Sequence, residues 1–364
     1  MKKTIYHIIR IILGLTFIFS GWVKMIDPVG TQIKLEEYFS PPVLNLPFLS
    51  PHTLEIGMIL ITLEWTLGWA LLLHFKPRLT IKITLSLTLF FLLLTGYSAI
   101  TGTVSDCGCF GDAIKLTPRQ TFYKNIALLS LILTALLLYS GDKKPSRIKG
   151  LIIGAIAVFA IAFMIYTVKH LPLIDFRPYA VGKNIRQGME IPENAPAPEF
   201  KNIWYYKING RIKRFTDRDK PWEIEGAEFI KRETEMIREG YVPPIHDFSI
   251  EGDWGDITEK VLNADKIYLI LISKPYNLTP KDLKNLFKVV HYFKKHHSDF
   301  IVTASDYSPE LERWSRAVNT PLNVTDETTL KTMIRSSPGI MLLEKATVKG
   351  KWTLKDFLKQ TETK

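Results

Sequence analysis

The chain has 364 residues, enough for two domains or more, and carries 47 Lys/Arg against 36 Asp/Glu, a net charge of +11. The excess lies mostly in the first half: up to Asp175 there are 16 basic against 9 acidic residues, and from Arg177 onward 31 against 27. No basic stripe stands out in the second half, so a nucleic-acid partner is not expected.

Five apolar stretches are each about as long as a bilayer-spanning helix needs, roughly 20 residues. They run Ile5–Val23, Leu54–Leu73, Ile81–Ile100, Phe122–Tyr139 and Leu151–Val168. The first follows Met1-Lys2-Lys3 like a signal peptide. It is followed by "FSGWVKMIDP" with no small-residue cleavage site, which predicts a retained anchor. Basic residues set the orientation. Lys2, Lys3 and Arg10, then Lys76, Arg78 and Lys82, then Lys143, Lys144, Arg147 and Lys149 all fall on one side, which becomes the cytoplasm. The connection "DPVGTQIKLEEYFSPP" and the loop after the third span fall on the other. With five spans the C-terminal half shares that side, the periplasm of a bacterium, and the chain is a multi-pass protein of the inner membrane. Glu64 lies near the middle of the second span, where an unpaired carboxylate is costly. It is either a proton-linked or ligand-binding intramembrane acid or a buried structural group reached by Arg10 or His7. Glu55 and Lys24 lie at similar depth, which allows them to pair.

Both cysteines sit in "SDCGCFGD", at Cys107 and Cys109. Cα atoms two positions apart can come within disulfide range, and the glycine between them eases the turn. The small ring is strained, and strained disulfides exchange readily. Three readings stay open: redox exchange, a closed structural turn, and metal binding. The last is the weakest, since two thiolates are half a tetrahedral site and no His is near. Asp106 should raise the pKa of Cys107, leaving Cys109 as the attacking thiolate.

The loop "CGCFGD", followed by "LTPRQT" and a further span, resembles the MauE family of methylamine utilisation. "RIILGLTFIFSGWVKMIDPVG" resembles the DoxX family through FSG, Lys24 and Asp27-Pro28-x-Gly30. The resemblance covers residues 1–145 and implies a four-helix membrane bundle, with residues 146–170 as a fifth, linking helix. It also implies disulfide formation or maturation of a periplasmic partner, usually beside a thioredoxin-like protein. A quinone cofactor follows only from a looser analogy to DsbB and vitamin K epoxide reductase, which use a second cysteine pair that this chain lacks.

Residues 171–242 read as an extended linker and a small hairpin region. The hairpin signal is Asn209-Gly210 between two aromatic and β-branched runs, and "GAEFIKRETEMIREGY" is undecided between strand and helix. Residues 243–364 alternate strand and helix. "IHDFSI" reads as a strand, "DITEKVL" as a turn into a helix and "KIYLILIS" as a buried strand. A helix with Leu283, Leu286, Phe287, Val290 and Phe293 on one face follows, then "DFIVTAS", a helix capped by Ser308, another over "DETTLKTMIRS", and the strands "SPGIMLL" and "ATVKGKW". That order predicts a two-layer α/β domain. It resembles a thioredoxin-like domain, with Pro338 at the family's cis-proline. The family's redox pair would follow "KIYLILIS", where this chain has "KPYNLTP" and no cysteine. The resemblance therefore implies a binding or spacer module. His291, His296 and His297 are expected to be solvated rather than metal-bound.

Two functions fit. One is a membrane thiol–disulfide or maturation factor working through Cys107 and Cys109 with a periplasmic thioredoxin-like or client protein. The other is a non-enzymatic scaffold presenting the C-terminal domain. The orientation has a direct test. A membrane-impermeant maleimide should label a cysteine placed at Ser298 in whole cells and should spare one at Ser146; labelling at Ser146 alone would invert the topology.

Overall fold

The computed structural model describes residues 1–362 except 42, 103–107, 109, 115, 142–145 and 239. The bundle comprises α1 (Lys2–Ile26), α2 (Pro28–Phe39), α3 (Thr53–Leu72), α4 (Pro77–Thr101), α5 (Pro118–Leu138) and α6 (Arg147–His170). All but α2 are long and apolar enough to cross a membrane. Each span falls within about a turn of its expected ends. The connection after the first span is not an open loop, because α2 fills it. Asp27 accepts a hydrogen bond from the Gly30 N–H and Pro28 occupies the first turn, a strong helix start.

Small residues let α1 and α3 approach closely. A Cβ at Gly68 would lie 2.7 Å from the Ile18 backbone nitrogen, and one at Gly21 would lie 3.0 Å from Trp65 Cα. In lipid such close packing replaces the hydrophobic drive that water would supply. Arg10 donates to the Leu71 and Leu72 carbonyls at the end of α3. It therefore caps that helix and does not reach Glu64, contrary to expectation.

Beyond α6 come α7 (Ile185–Met189) and the strands β1 (Glu199–Ile208), β2 (Arg211–Thr216) and β3 (Glu228–Arg238). They form an antiparallel sheet in the order β2-β1-β3. Asn209 and Gly210, both at positive φ, make the expected turn. The undecided segment is β3, whose residues are all exposed.

The C-terminal domain follows with β4 (Glu251–Gly252), β5 (Gly255–Asp256), α8 (Thr258–Leu262), β6 (Ile267–Ile272), α9 (Pro280–Lys295), β7 (Phe300–Ala304) and α10 (Pro309–Val318). It ends with β8 (Leu322–Val324), α11 (Glu327–Met333), β9 (Gly339–Glu344), β10 (Thr347–Thr353) and α12 (Leu354–Glu362). The sheet runs β10-β9-β6-β7-β8-β4-β5, with β6, β7 and β8 parallel and β9 and β10 antiparallel. This is an α/β thioredoxin-like domain, and Ser337–Pro338 is cis.

The domain has three layers rather than two. Ile267, Leu269 and Leu271 of β6 face one core, with Val261, Leu330 and Met333. Ile270 and Ile272 face the other, with Phe293, Trp314 and Phe357. Both faces of β6 are covered, as its continuous apolar run requires. "IHDFSI" is not a ladder strand. It is an extended stretch whose Ile245, Phe248 and Ile250 are buried. Hydroxyls of Thr325 and Thr329 donate to its Ser249 and Asp247 carbonyls in place of strand neighbours. Part of the expected linker also belongs to this domain. Tyr179 and Ile185 are buried in its core, and the Gly182 and Ile185 N–H groups donate to the Val348 and Ala346 carbonyls.

A buried ion cluster pins that segment. Arg177 donates to Asp175 at 2.7 Å, and Lys351 donates to the same carboxylate at 2.7 Å. Burial would raise the Asp175 pKa, but Arg177 and Lys351 hold it below the ordinary value. Burial, then Arg177, pushes Lys351 down to about 8 against the pull of Asp175. An unfolded lysine titrates near 10.4. Between those two values the unfolded chain binds the extra proton, so this group makes the domain more stable as pH rises. Lys351→Met should remove that slope from denaturant midpoints measured across pH 8 to about 10. Arg177→Met should destabilise the domain at neutral pH by less than the roughly 3–5 kcal/mol of a fully stranded buried charge, because Lys351 still pairs with Asp175.

Candidate functional site

Cys107 and Cys109 lie outside the described residues; Gly108 and the residues 110–114 are described. The Gly111 N–H donates to the Gly108 carbonyl at 3.0 Å, and both glycines have positive φ, +59° and +52°, a backbone state that glycine adopts without strain. A Cβ at Gly111 would also meet Val23 of α1 at 3.2 Å. The turn thus rests against the end of α1.

Cations from three elements grip this turn. The alkyl stem of Lys34 of α2 packs against Gly108, where a Cβ would lie 3.1 Å from its Cγ, while its ammonium pairs with Glu37 at 3.2 Å. Lys124 of α5 sits 4.6 Å from the centre of the Phe110 ring, which also packs on Phe19 of α1. Arg335 of the C-terminal domain donates from Nη2 to Asp112 at 2.9 Å and from Nε to Asp27 at 2.8 Å. Asp27 uses its other oxygen to cap α2. Burial acts to lower the Arg335 pKa, but Asp27 and then Asp112 outweigh it, so the guanidinium is held above its ordinary value.

Residues 2–139 match the family described as Methylamine utilisation protein MauE. This region is a MauE-like membrane domain. The chain is also similar to Protein TlpB of Flavobacterium psychrophilum, 27% identical over 166 residues. That match covers 45% of this chain and 45% of TlpB, so the chain spans less than half of that relative's length. No solved structure matches the chain.

The MauE-like domain receives one particular face of the C-terminal domain. Lys274 begins "KPYNLTP", the stretch after β6, and its ammonium lies 3.4 Å from Glu36 of α2. Lys331 of α11 lies 3.7 Å from the same carboxylate. Arg335 is three residues before the cis Pro338. The edge where the thioredoxin-like resemblance puts a redox pair and cis-proline is thus turned onto α2 and the loop carrying Asp112. A cavity of about 220 Å³ remains between them, lined by Val29, Ile33, Lys274, Arg335 and Ser337 among others. Farther out, His170 at the end of α6 pairs with Asp356 of α12 at 3.0 Å.

Inside the bundle Glu64 is buried and meets Lys24 of α1 at 2.7 Å. Depth in the sequence allows Lys24 to pair with Glu55, and one of the two readings of Glu64 gives it Arg10 or His7; the structure pairs Lys24 with Glu64 instead. The Gly21–Trp65 contact explains the outcome, since it brings the next turn of α1 against Glu64. Two cavities flank the pair, of about 50 and about 30 Å³, and both are lined by Lys24, Glu64 and Phe91. Gly108 borders the first and Phe110 the second. The sequence reading missed α2, Arg335 and Lys24 as a set. The Asp27-Pro28 helix start and the Gly14/Gly21 spacing on α1 were the available signals.

The docking rests on Arg335, which makes it testable. In a Cys107→Ser/Cys109→Ser background, cysteines at Glu36 and Lys274 should cross-link with a short bismaleimide. Adding Arg335→Glu should reduce the yield severalfold, because it sets three carboxylates against one another. Changing Asp112→Arg in the same chain should restore part of it. An unchanged yield in Arg335→Glu would mean that the docking does not depend on this residue.

Proposed function

We propose that this chain is a membrane-embedded thiol–disulfide or maturation factor. Cys107 and Cys109 exchange with a thioredoxin-like or client protein on the periplasmic side of a bacterial inner membrane. The observation that carries the proposal is the set of cations around the loop. Both described neighbours of Cys109 touch a lysine side chain, and Asp112 takes a buried arginine. Positive charge next to a thiol favours the thiolate, which is the nucleophile in exchange. The MauE-like match and the DoxX-like exit of α1 support the same reading. So does the charge bias that puts the loop and the C-terminal domain on one side.

In the step proposed, a thiolate of the pair attacks the partner's disulfide and forms a mixed disulfide, releasing one partner thiolate. The second cysteine then attacks the bridge, closes the Cys107–Cys109 bond and releases the other partner thiolate. The electron pair passes from one dithiol to one disulfide, so the step needs no quinone. The reverse direction is equally balanced.

One observation favours a scaffold instead. The C-terminal domain has no cysteine, and it occupies the surface beside the loop. On that reading the cysteines only close a turn. Non-reducing gels separate the two. A single Cys107→Ser variant should trap a DTT-sensitive adduct of higher mass that is absent from the double serine variant. If neither single variant traps an adduct and the double variant keeps activity, the scaffold reading stands. The role of the lysines is checked by alkylation. With Cys109 as the lone thiol, Lys34→Gln and Lys124→Gln should each raise its pKa and slow iodoacetamide labelling at neutral pH, by up to about tenfold for a full unit.

A further inference from the structure

Lys24 and Glu64 form a buried pair inside the bundle, with side chains only 8% and 9% exposed. An ammonium has three N–H donors and a carboxylate has about four lone-pair sites. The hydrogen bond between Lys24 and Glu64 leaves further capacity on both groups, and both line the same two cavities. The second cavity is also lined by Thr88, which is 3% exposed and whose hydroxyl has no partner. Asn125 beside it donates to Thr95, which lines the first cavity. A cavity holds a water when it offers roughly 10–15 Å³ and two to four polar partners. Volumes of about 50 and about 30 Å³ meet that need. They are too small for a ring-bearing ligand unless side chains move.

We propose that these cavities are a water site inside the membrane bundle, and that Glu64 exchanges protons through it with the surface at Gly108 and Phe110. Among the described residues, Glu64 is the only carboxylate lining either cavity. Lys24 and Lys34 line the first, and Lys24 and Lys124 the second. On protonation an O–H bond forms on the Glu64 carboxyl and a cavity water loses the proton, which it regains from the loop side. Lys24 then faces a neutral carboxyl and the Phe91 ring, whose centre lies 5.4 Å away. The water site stands without the thiol chemistry. Its use as the proton acceptor for a loop thiol rests on the function proposed above.

Radical footprinting of the full chain in lipid nanodiscs tests the water. Phe91 lines both cavities, whereas its neighbour Phe90 is exposed on the outer surface of the bundle. An X-ray pulse makes hydroxyl radicals only where water is, so Phe91 should be oxidised severalfold more than Phe90. Labelling of Phe91 at or below the level of Phe90 would overturn the proposal. Infrared titration of the same sample tests the proton. In the wild-type minus Glu64→Gln difference spectrum, a protonated-carboxyl component should appear as pH falls and shift in D₂O, the other carboxyl groups contributing equally to both chains. A titration identical in wild type and Glu64→Gln would overturn the exchange. The wild-type footprint does not depend on any variant folding. Both signals should survive in the Cys107→Ser/Cys109→Ser chain, whereas adduct trapping should not. Failure of the thiol reading and failure of the water site are therefore separately visible.

Discussion

Arg335 joins three parts of the molecule at one point: the end of α1 through Asp27, the loop through Asp112, and the preceding helix α11 through the Lys331 carbonyl. Its side chain is 7% exposed. Burying a guanidinium is costly, and the cost is offset only when geometry and hydrogen bonding are good. Here two carboxylates and a carbonyl meet it. An arginine suits this better than a lysine would, because its planar fork addresses two acceptors at fixed angles. An interaction of this kind specifies position more than it adds stability. If it were absent, little in the surrounding contacts would fix which face of the C-terminal domain meets the bundle. The pairs at Glu36 are longer and more exposed, and contacts of that type contribute little on their own.

The bundle depends on a different device. Gly14, Gly21 and Gly68 let two backbones approach, and that approach places Lys24 against Glu64. The two devices meet at the loop. Gly108 borders a cavity that reaches Glu64, and Asp112 reaches Arg335. The loop therefore lies between an intramembrane ion pair and an interdomain one, with lysines on both sides of its described turn. Its electrostatic surroundings come from four elements far apart in sequence. No local motif could encode that.

This explains what the sequence made legible. Five spans are readable because lipid demands long apolar runs, and β6 is readable because burial on both faces demands another. The turn at Asn209-Gly210 and the cap at Ser308 are local chemistry, and both are where their residue types predict. "IHDFSI" misleads because its apolar residues are needed for the core, while threonine hydroxyls take the place of a strand partner. Residues 177–189 mislead because Pro and Gly suggest a linker, whereas Tyr179 and Ile185 supply core. Glu64 could be recognised as costly from its depth alone. Its partner could not, because that depends on how α1 and α3 rotate about each other, which single glycines decide.

The absence of cysteine from the C-terminal domain gains a physical sense from this arrangement. A thiol pair after β6 would face α2 across a cavity of about 220 Å³. In place of such a pair the chain has Lys274, directed at Glu36. The surface that could have carried exchange chemistry carries charge complementary to the membrane domain. A domain held in that way separates from the membrane bundle only if Arg335 leaves Asp27 and Asp112. Displacing it would leave Asp27 and Asp112 without their shared cation and the guanidinium without its acceptors.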